Sequence, residues 1–219
     1  NKYSVITSLA SSRNAINNYL DGYFKTENLR FRETPITFNK YLIQNQEISN
    51  IIVHAYDKFV INYENFSVSI ADGQIHQNEI ILLVGENGTG KTSFIKHIAQ
   101  SSNLICSIKT QNPYIKSVTN QTVRDYIEHH INGRLSDQYF THSIMNIFGI
   151  NDWMNMELST LSGGQMQKLS IIICLGKIAD LYLLDEPSAY IDIEDRCKLS
   201  KIIKQFAYYY KKPIFIVEH

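Results

Sequence analysis

The segment from Ile80 to Thr92 constrains the fold more than any other part of the chain. Five apolar residues, IILLV, lead directly into GENGTGKT at positions 85–92, which satisfies the pattern G-x-x-x-x-G-K-[ST]. The apolar run predicts a fully buried strand, and a helix is expected from Gly90 to about Gln100. Glycines let successive backbone N–H groups converge on an anion, and a helix N-terminus adds positive potential. The segment therefore predicts a phosphate-binding loop between a strand and a helix.

The side chains of this loop are suited to a nucleotide and its metal ion. Lys91 can reach the β and γ phosphates, and the Thr92 hydroxyl can coordinate Mg²⁺. A glycine turn that only caps a helix is the alternative, and the Lys-Thr pair in this strand–loop–helix context disfavours it. The predicted nucleotide-binding residues of the loop are Gly85, Glu86, Asn87, Gly88, Thr89, Gly90, Lys91, Thr92 and Ser93.

A second apolar strand, LYLLDEP at positions 181–187, ends in two carboxylates. In sheets of this kind ligands bind at the carboxyl ends of the strands, so these side chains are expected beside the phosphate loop. Asp185 is suited to hold Mg²⁺, and Glu186 to orient or deprotonate an attacking water. A solvated strand end is the alternative, which the pairing with a phosphate loop disfavours.

Apolar strands alternate with helices along most of the chain, as in FSVSI, ICSIK, TVRDYIEHHI, SDQYFTHSIMNIFG, the run from LSGGQ to KIA, and PIFIVE. Ser136 is the predicted N-cap of the SDQYFTHSIMNIFG helix. The pattern predicts an α/β fold with a mostly parallel sheet flanked by helices, an antiparallel β part and a small helical insert at about 112–160. In the helix of IDIEDRCKLSKIIKQFAYYY the side chains expected to face inward are Ile193, Cys197, Ile202, Phe206 and Tyr210.

Composition excludes several classes of protein. Lysine plus arginine equals aspartate plus glutamate at 21 each, so no global field favours strong binding of free nucleic acid. No apolar run reaches the ~18 residues that span a bilayer. Three cysteines without a CxxC pair suggest neither a metal cluster nor disulfides, and we expect a cytoplasmic protein. Residues 1–50 are mixed and polar without a sustained period, which predicts a hinge or interdomain segment before a main domain at 51–219.

The pentapeptide LSGGQ at positions 161–165 resembles the signature of the ATP-binding cassette superfamily. A serine hydroxyl and two glycine amides at a helix start can form a second anion-binding nest. The resemblance implies that Ser162, Gly163, Gly164 and Gln165 contact the γ phosphate held by an opposite cassette. A serine N-cap followed by flexible glycines is the alternative.

The same resemblance assigns roles to four further residues. Gln111 is similar to the Q-loop glutamine, which touches the metal and couples the nucleotide site to the helical insert. Asp192 is similar to the D-loop aspartate at the dimer seam, and His219 to the switch histidine at the γ phosphate. Tyr56 is matched to the residue that stacks on adenine, with Tyr63 as the competing candidate.

Two longer phrases, LDGYFKTENLRFRE and CLGKIADLYLLDEPSAYID, resemble the second nucleotide-binding domain of ABC subfamily E, the ribosome-splitting ATPases that include the RNase L inhibitor. That resemblance implies an ATP- and Mg²⁺-dependent ATPase, active only with a second cassette, whose partners are the small ribosomal subunit and release or initiation factors. It also implies an iron–sulfur domain and a first cassette before Asn1, and a missing segment after His219. Lys168 departs from the family, which has arginine at this position of LSGGELQR. Because lysine lacks the guanidinium fork, the difference is expected to weaken a backbone or ribosomal contact.

Two other functions remain open at this point. One is the ATPase subunit of a membrane transporter. The other is a nucleotide-gated binding module with negligible hydrolysis, which Glu186 and His219 disfavour because a clamp needs neither. A chromosome-maintenance ATPase is disfavoured, because such chains insert a long coiled coil between the phosphate loop and the signature.

Overall fold

The computed structural model describes residues 7–37, 49–63, 66–110 and 121–218. It divides the chain into two compact units, residues 1–47 and 48–219.

The first unit contains regular structure that the sequence pattern did not indicate. Helix α1 spans Ser12–Asp21, and its N-cap Ser11 accepts a hydrogen bond from the Asn14 amide. Gly22 ends the helix at φ 69°, where a Cβ would lie 2.6 Å from Arg32 Cβ. A hairpin of β1 (Tyr23–Phe24) and β2 (Leu29–Arg30) follows. None of the residues of α1 is buried, which explains why this helix lacks an apolar period.

The second unit carries the remaining helices and strands. Its strands are β3 (Ile52–Tyr56), β4 (Phe59–Asn62), β5 (Ser67–Ile70), β6 (Gly73–His76), β7 (Ile80–Val84), β8 (Cys106–Lys109), β9 (Leu181–Asp185) and β10 (Ile214–Glu218). Its helices are α2 (Lys91–Ser101), α3 (Val123–Leu135), α4 (Gln138–Phe140), α5 (Gly163–Gly176) and α6 (Ile193–Tyr210), and short π and 3₁₀ turns occupy most of the stretch between α4 and α5.

A four-stranded parallel sheet in the order β7-β10-β9-β8 forms the centre of this unit. Antiparallel pairs β3-β6 and β4-β5 form a separate β part. Alternate side chains of β9 enter two different cores, with Leu181 and Leu183 on the α2 side and Tyr182 and Leu184 on the side of α3, α5 and α6. The predicted fold class, a mostly parallel sheet between helices with an antiparallel part, is therefore confirmed.

Strand β7 differs from its prediction as a fully buried strand. Ile81 and Leu83 pack into the core on the α2 side, whereas Ile80, Leu82 and Val84 are 36%, 57% and 64% exposed. The strand ends the described strand order, and its residues Ile80, Leu82 and Val84 belong to neither core, so that face of β7 is not covered in the described part of the chain. The continuous apolar run predicted the strand but not its position at the sheet edge.

Two further predictions from pattern are wrong in detail. Ser136 lies at the C-terminus of α3, and the next helix is capped by Asp137, whose carboxylate accepts from the amides of Tyr139 and Phe140. On α6, Ile193 is 40% exposed and Cys197 is half-buried. The buried face of that helix instead carries Asp195, Leu199, Ile202, Ile203, Phe206 and Ala207.

No helix in the described part of the chain is both long and apolar enough to cross a membrane.

Candidate functional site

The loop between β7 and α2 has the backbone conformation that its glycines predict. Gly88 and Gly90 have φ values of 80° and 91°, which residues with a Cβ rarely adopt. A Cβ at Gly90 would also lie 2.7 Å from Val68 Cγ2. The Lys91 ammonium donates to the carbonyls of Gly85 and Glu86 at 2.6 and 2.8 Å, which holds it over the loop. The α2 N-terminus and Lys91 thus lie together at an anion-binding position.

A cavity of about 360 Å³ opens over this loop. Its walls are residues 87–93, Glu186 and Val217, together with the aromatic rings of Tyr63 and Phe66. These two rings are stacked, with centroids 4.5 Å apart and planes 14° from parallel, and each is more than two-fifths exposed. An exposed aromatic face beside a phosphate loop is a surface on which a flat base can stack.

Tyr56, the residue matched to the adenine contact, lies elsewhere. Its ring packs edge-on against Phe59 and Phe94, at centroid distances of 6.2 and 6.0 Å. Its hydroxyl end lies directly against Gly73. Tyr63, the competing candidate, lines the cavity instead.

Thr92 and Asp185 meet at the floor of the site. The Thr92 hydroxyl donates to the Asp185 carboxylate at 3.0 and 3.2 Å, and Asp185 is only 4% exposed. Burial raises the pKa of Asp185, and the hydrogen bond from Thr92 partly opposes that rise. The described residues include no cluster of three His, Cys, Asp or Glu side chains for a metal. A hydroxyl and one carboxylate nevertheless fit Mg²⁺, which takes few protein oxygens and fills its shell with phosphate and water.

Glu186 follows β9 and lines the same cavity. Its backbone has φ 46°, an uncommon conformation for a residue with a Cβ. Its amide donates to the Val217 carbonyl of β10 at 3.0 Å, which fixes the loop to the neighbouring strand. The structure thus brings the predicted loop residues, Asp185 and Glu186 together at the carboxyl edge of the sheet.

The signature residues lie at an exposed corner at the start of α5. Ser162 is the N-cap: its hydroxyl accepts from the Gln165 amide, and the Gln165 side chain accepts from the Ser162 amide. Ser162 and Gly163 are exposed, and a Cβ at Gly164 would lie 3.0 Å from the Tyr190 carbonyl. These residues do not line the cavity over the phosphate loop. The corner is therefore both a capping box and an accessible pair of glycine amides.

The remaining predicted residues are only partly described. Asp192 is exposed and caps α6, because its carboxylate accepts from the Asp195 amide at 2.9 Å. Gln111 and His219 lie outside the described residues. Glu218, which precedes His219, accepts from both the amide and the hydroxyl of Ser188, at 3.0 and 2.8 Å. This contact joins the end of β10 to the loop that follows Glu186.

Sequence reasoning missed two buried polar residues that contact this loop. The Lys109 ammonium donates to the Asp185 carbonyl at 2.8 Å, and the Gln167 amide donates to the carbonyls of Glu186 and Pro187 at 2.8 and 3.2 Å. Burial lowers the pKa of Lys109 to about 8, against the opposing influence of Asp185. The sequence signals that could have indicated these two residues were a lysine at the end of an apolar strand and a glutamine within a helix whose other buried residues are mostly apolar.

Comparison with known proteins places this geometry in a family. The family described as "ABC transporter" matches residues 68–189. Translation initiation factor rli1 of Schizosaccharomyces pombe is 39% identical over 219 residues, covering 99% of this chain and 36% of that protein. ABC transporter E family member 3 of Arabidopsis thaliana is 36% identical over 168 residues, covering 71% of this chain and 93% of that protein.

A solved structure has the same fold. The complex of archaeal ribosomal stalk protein aP1 and archaeal ribosome recycling factor aABCE1 matches with a TM-score of 0.78 and 35% identity, over 94% of this chain and 41% of that chain. This chain spans little more than a third of the length of the first curated relatives, 37% and 36%. The family match covers more than half of the chain and includes the phosphate loop, the signature corner and the Asp-Glu pair. The chain therefore belongs to the ATP-binding cassette (ABC) family and, within it, to subfamily E.

Proposed function

We propose that this chain is one ATP-hydrolysing cassette of a cytoplasmic twin-cassette protein that separates ribosomal subunits. The observation that carries the proposal is that the phosphate loop and the Glu186 side chain line one cavity. A relative named as a translation initiation factor and a structural neighbour named as a ribosome recycling factor support the ribosomal role over that of a transporter subunit. Partners are then the small ribosomal subunit and release or initiation factors.

ATP binds with its phosphates on the loop of residues 85–93. The backbone amides there and the α2 N-terminus contact the phosphates, and Lys91 moves from the loop carbonyls to the β and γ phosphates. The adenine stacks on the exposed face of the Tyr63–Phe66 pair. The position of this pair in the cavity wall supports Tyr63 over Tyr56 as the adenine contact.

Thr92 and Asp185 are the described residues that would hold Mg²⁺, with Gln111 added by family resemblance. Mg²⁺ bound there neutralises charge on the β and γ phosphates. Asp185 is buried against Thr92, so its carboxylate is fixed in direction before the ligand arrives. Such preorganisation limits the reorganisation that the site must undergo during reaction.

Glu186 acts on the attacking water. It accepts a hydrogen bond from water placed in line with the γ phosphate, so that the oxygen attacks phosphorus as the bond to ADP breaks. Lys91, and His219 by family resemblance, stabilise the negative charge that spreads over the γ oxygens. The products are ADP and inorganic phosphate.

The second half of each site comes from another cassette. Ser162, Gly163 and Gly164 are accessible but do not line the cavity of their own phosphate loop, so they are free to contact a nucleotide held by the neighbour. Gln165 supports that corner through the capping box, and Asp192 lies at the seam between cassettes.

A Glu186→Gln variant of the full-length protein tests this proposal. It should bind ATP with wild-type affinity but hydrolyse it roughly 10²-fold or more slowly, because the amide cannot take a proton from water. With ATP it should therefore remain on small ribosomal subunits, as measured by co-sedimentation beside a phosphate-release assay.

The matched control is Glu128→Gln, which changes an exposed carboxylate on α3 and should leave both readings at wild-type values. Wild-type hydrolysis by Glu186→Gln would contradict the assigned role of Glu186. Association with membrane subunits and not with ribosomal subunits would replace the ribosomal role with that of a transporter.

A further inference from the structure

The backbone at Glu186 is held in a conformation that it does not favour by itself. Its φ of 46° lies in the left-handed region, which is unfavourable for a residue with a Cβ. Such a conformation persists only where surrounding contacts fix it. The Val217 carbonyl accepts from the Glu186 amide and fixes the peptide group before this residue. The Glu186 carbonyl, in the peptide group after it, accepts from the Ala189 amide of the same loop at 3.3 Å, and further donors reach it from elsewhere in the fold.

Gln167 supplies those donors from α5. Its side-chain nitrogen lies 2.8 Å from the Glu186 carbonyl oxygen and 3.2 Å from that of Pro187. The amide nitrogen therefore lies within hydrogen-bond distance of two consecutive carbonyls of the loop. The reversed amide would set its oxygen against two carbonyl oxygens, so these contacts fix the amide orientation.

A buried glutamine at position 167 would lower the stability of the fold if its side chain made no contact with the loop. The residue is 1% exposed, and its Oε1 has no hydrogen-bond partner in the described part of the chain. A buried oxygen left unpaired lowers the stability of the fold, because it has lost its hydrogen bonds to water. An apolar side chain of similar volume, like its buried neighbours Met166 and Leu169, would avoid that cost. The two hydrogen bonds from Gln167 to the loop carbonyls are what offset this cost.

Lys109 supports the same loop from β8. Its ammonium donates to the Asp185 carbonyl at 2.8 Å and lies 3.5 Å from the Glu186 carbonyl. Two buried donors, one from a helix and one from a strand, thus meet the backbone on which the Glu186 side chain is mounted. Displacing that backbone by about 1 Å would move the carboxylate off the line of attack, which can reduce the rate about 10²-fold.

We propose that Gln167 is a positioning residue for ATP hydrolysis, which aims the Glu186 carboxylate at the attacking water by fixing the Glu186 and Pro187 carbonyls. The inference rests on the proposed function, because it concerns the geometry of the same hydrolytic site. It adds to that function a residue of α5 that does not line the cavity over the phosphate loop.

A Gln167→Met variant of the full-length protein tests the proposal, with ATP affinity, single-turnover hydrolysis and thermal unfolding measured together. We expect the hydrolysis rate to fall about tenfold or more, because the loop loses both of its hydrogen bonds from Gln167. ATP affinity should stay within about twofold of wild type, since Gln167 does not contact the nucleotide. The melting temperature should change little, because methionine removes the unpaired Oε1 but also removes the donor to the buried Pro187 carbonyl.

Two further variants test whether the loss of rate depends on the position of the Gln167 amide. Ser170→Ala removes a buried hydroxyl from the same helix, which donates to the Gln167 carbonyl at 2.7 Å. This variant should leave the hydrolysis rate unchanged. Gln167→Asn keeps the amide but withdraws it by one methylene, and should lose as much of the rate as Gln167→Met.

An unchanged hydrolysis rate in Gln167→Met, with active wild-type protein, would overturn this inference and leave the proposed function standing. A rate loss that follows a lowered melting temperature in both Gln167 variants would assign Gln167 a purely structural role and also overturn it. Wild-type protein no faster than Glu186→Gln would overturn the proposed function, and this inference with it.

Discussion

At the residue scale, Asp195 shows how this fold keeps a buried charge. The side chain is 6% exposed, and its two oxygens accept separately from Lys168 at 2.5 Å and Lys198 at 2.9 Å. Lys168 is the residue that departs from the arginine of the family motif. One arginine fork would donate to both carboxylate oxygens at once. Here two lysines act as point charges, and each donates to one oxygen.

The Asp195 interaction gives a pH-dependent prediction. Burial opposes ionisation, but the hydrogen bonds and charges of Lys168 and Lys198 outweigh it and lower the pKa of Asp195 below its usual 3.8. A lowered folded-state pKa stabilises the fold above the unfolded pKa of about 3.9, and this stabilisation is lost as pH falls through the folded value. Asp195→Asn should therefore cost roughly 1–3 kcal/mol at pH 7 and progressively less below about pH 4.

Chemical denaturation across this pH range measures the effect. Asp57→Asn, at an exposed aspartate, should change the free energy of unfolding by no more than about 0.5 kcal/mol at any of these pH values. A cost for Asp195→Asn that is equally large at pH 3 and pH 7 would show that ionic contacts do not hold this carboxylate.

At the scale of elements, the close approach of α3 and α5 depends on a missing side chain. A Cβ at Gly176, the last residue of α5, would lie 2.5 Å from Ile131 Cδ1 and 3.0 Å from Ile131 Cβ. Ile131 itself departs from helical geometry, with φ −137° and ψ 27°, so α3 bends at this contact. The helical insert and the signature helix are thus packed together through a glycine, although glycine lowers helix propensity.

Gly176→Ala should therefore lower stability by about 1–3 kcal/mol through overpacking, even though alanine is the better helix former. Gly133→Ala is the matched control on α3, where a Cβ meets only Ile178 Cδ1 at 4.0 Å. There the gain in helix propensity should dominate and raise stability by about 0.5–1 kcal/mol. Thermal and denaturant unfolding of both variants checks the two signs. Equal effects of the same sign would contradict the packing argument.

At the scale of the whole molecule, the phosphate loop and the signature corner occupy separate places in the second unit. The phosphate loop closes a cavity with Glu186, whereas Ser162 and the adjacent glycines open on a corner outside it. In the function proposed here, one copy would supply half of each of two sites. Two cores, one on each face of a single sheet, give both positions a rigid support.

This arrangement predicts that the 219-residue chain alone binds ATP but hydrolyses it slowly. Turnover per molecule should rise with protein concentration, as transient pairs complete the sites. Phosphate release measured beside sedimentation at each concentration provides the check. Appreciable steady-state hydrolysis by a demonstrated monomer, abolished by Glu186→Gln, would contradict the shared-site arrangement.

Most elements of the second unit were predictable because their signals are local. The loop of Gly85–Thr92, the β9 strand before Asp185 and the helix after Ser162 each follow from residues adjacent in the chain. Helix α1 was not predicted, because a helix without a buried face has no apolar period. The exposed face of β7 was missed for the opposite reason: an apolar run shows that a strand forms, but not which of its faces other elements cover.

The sequence by itself determined the family, the phosphate loop, the Asp-Glu pair and the signature corner, since each depends on a few consecutive residues and their backbone conformation. Only the tertiary structure decided that Tyr63, not Tyr56, faces the cavity, and that Lys109 and Gln167 meet the backbone at Glu186. Those contacts join residues distant in the chain, and a hydrogen bond between them depends on how strands and helices are ordered around the sheet. No local pattern encodes that order.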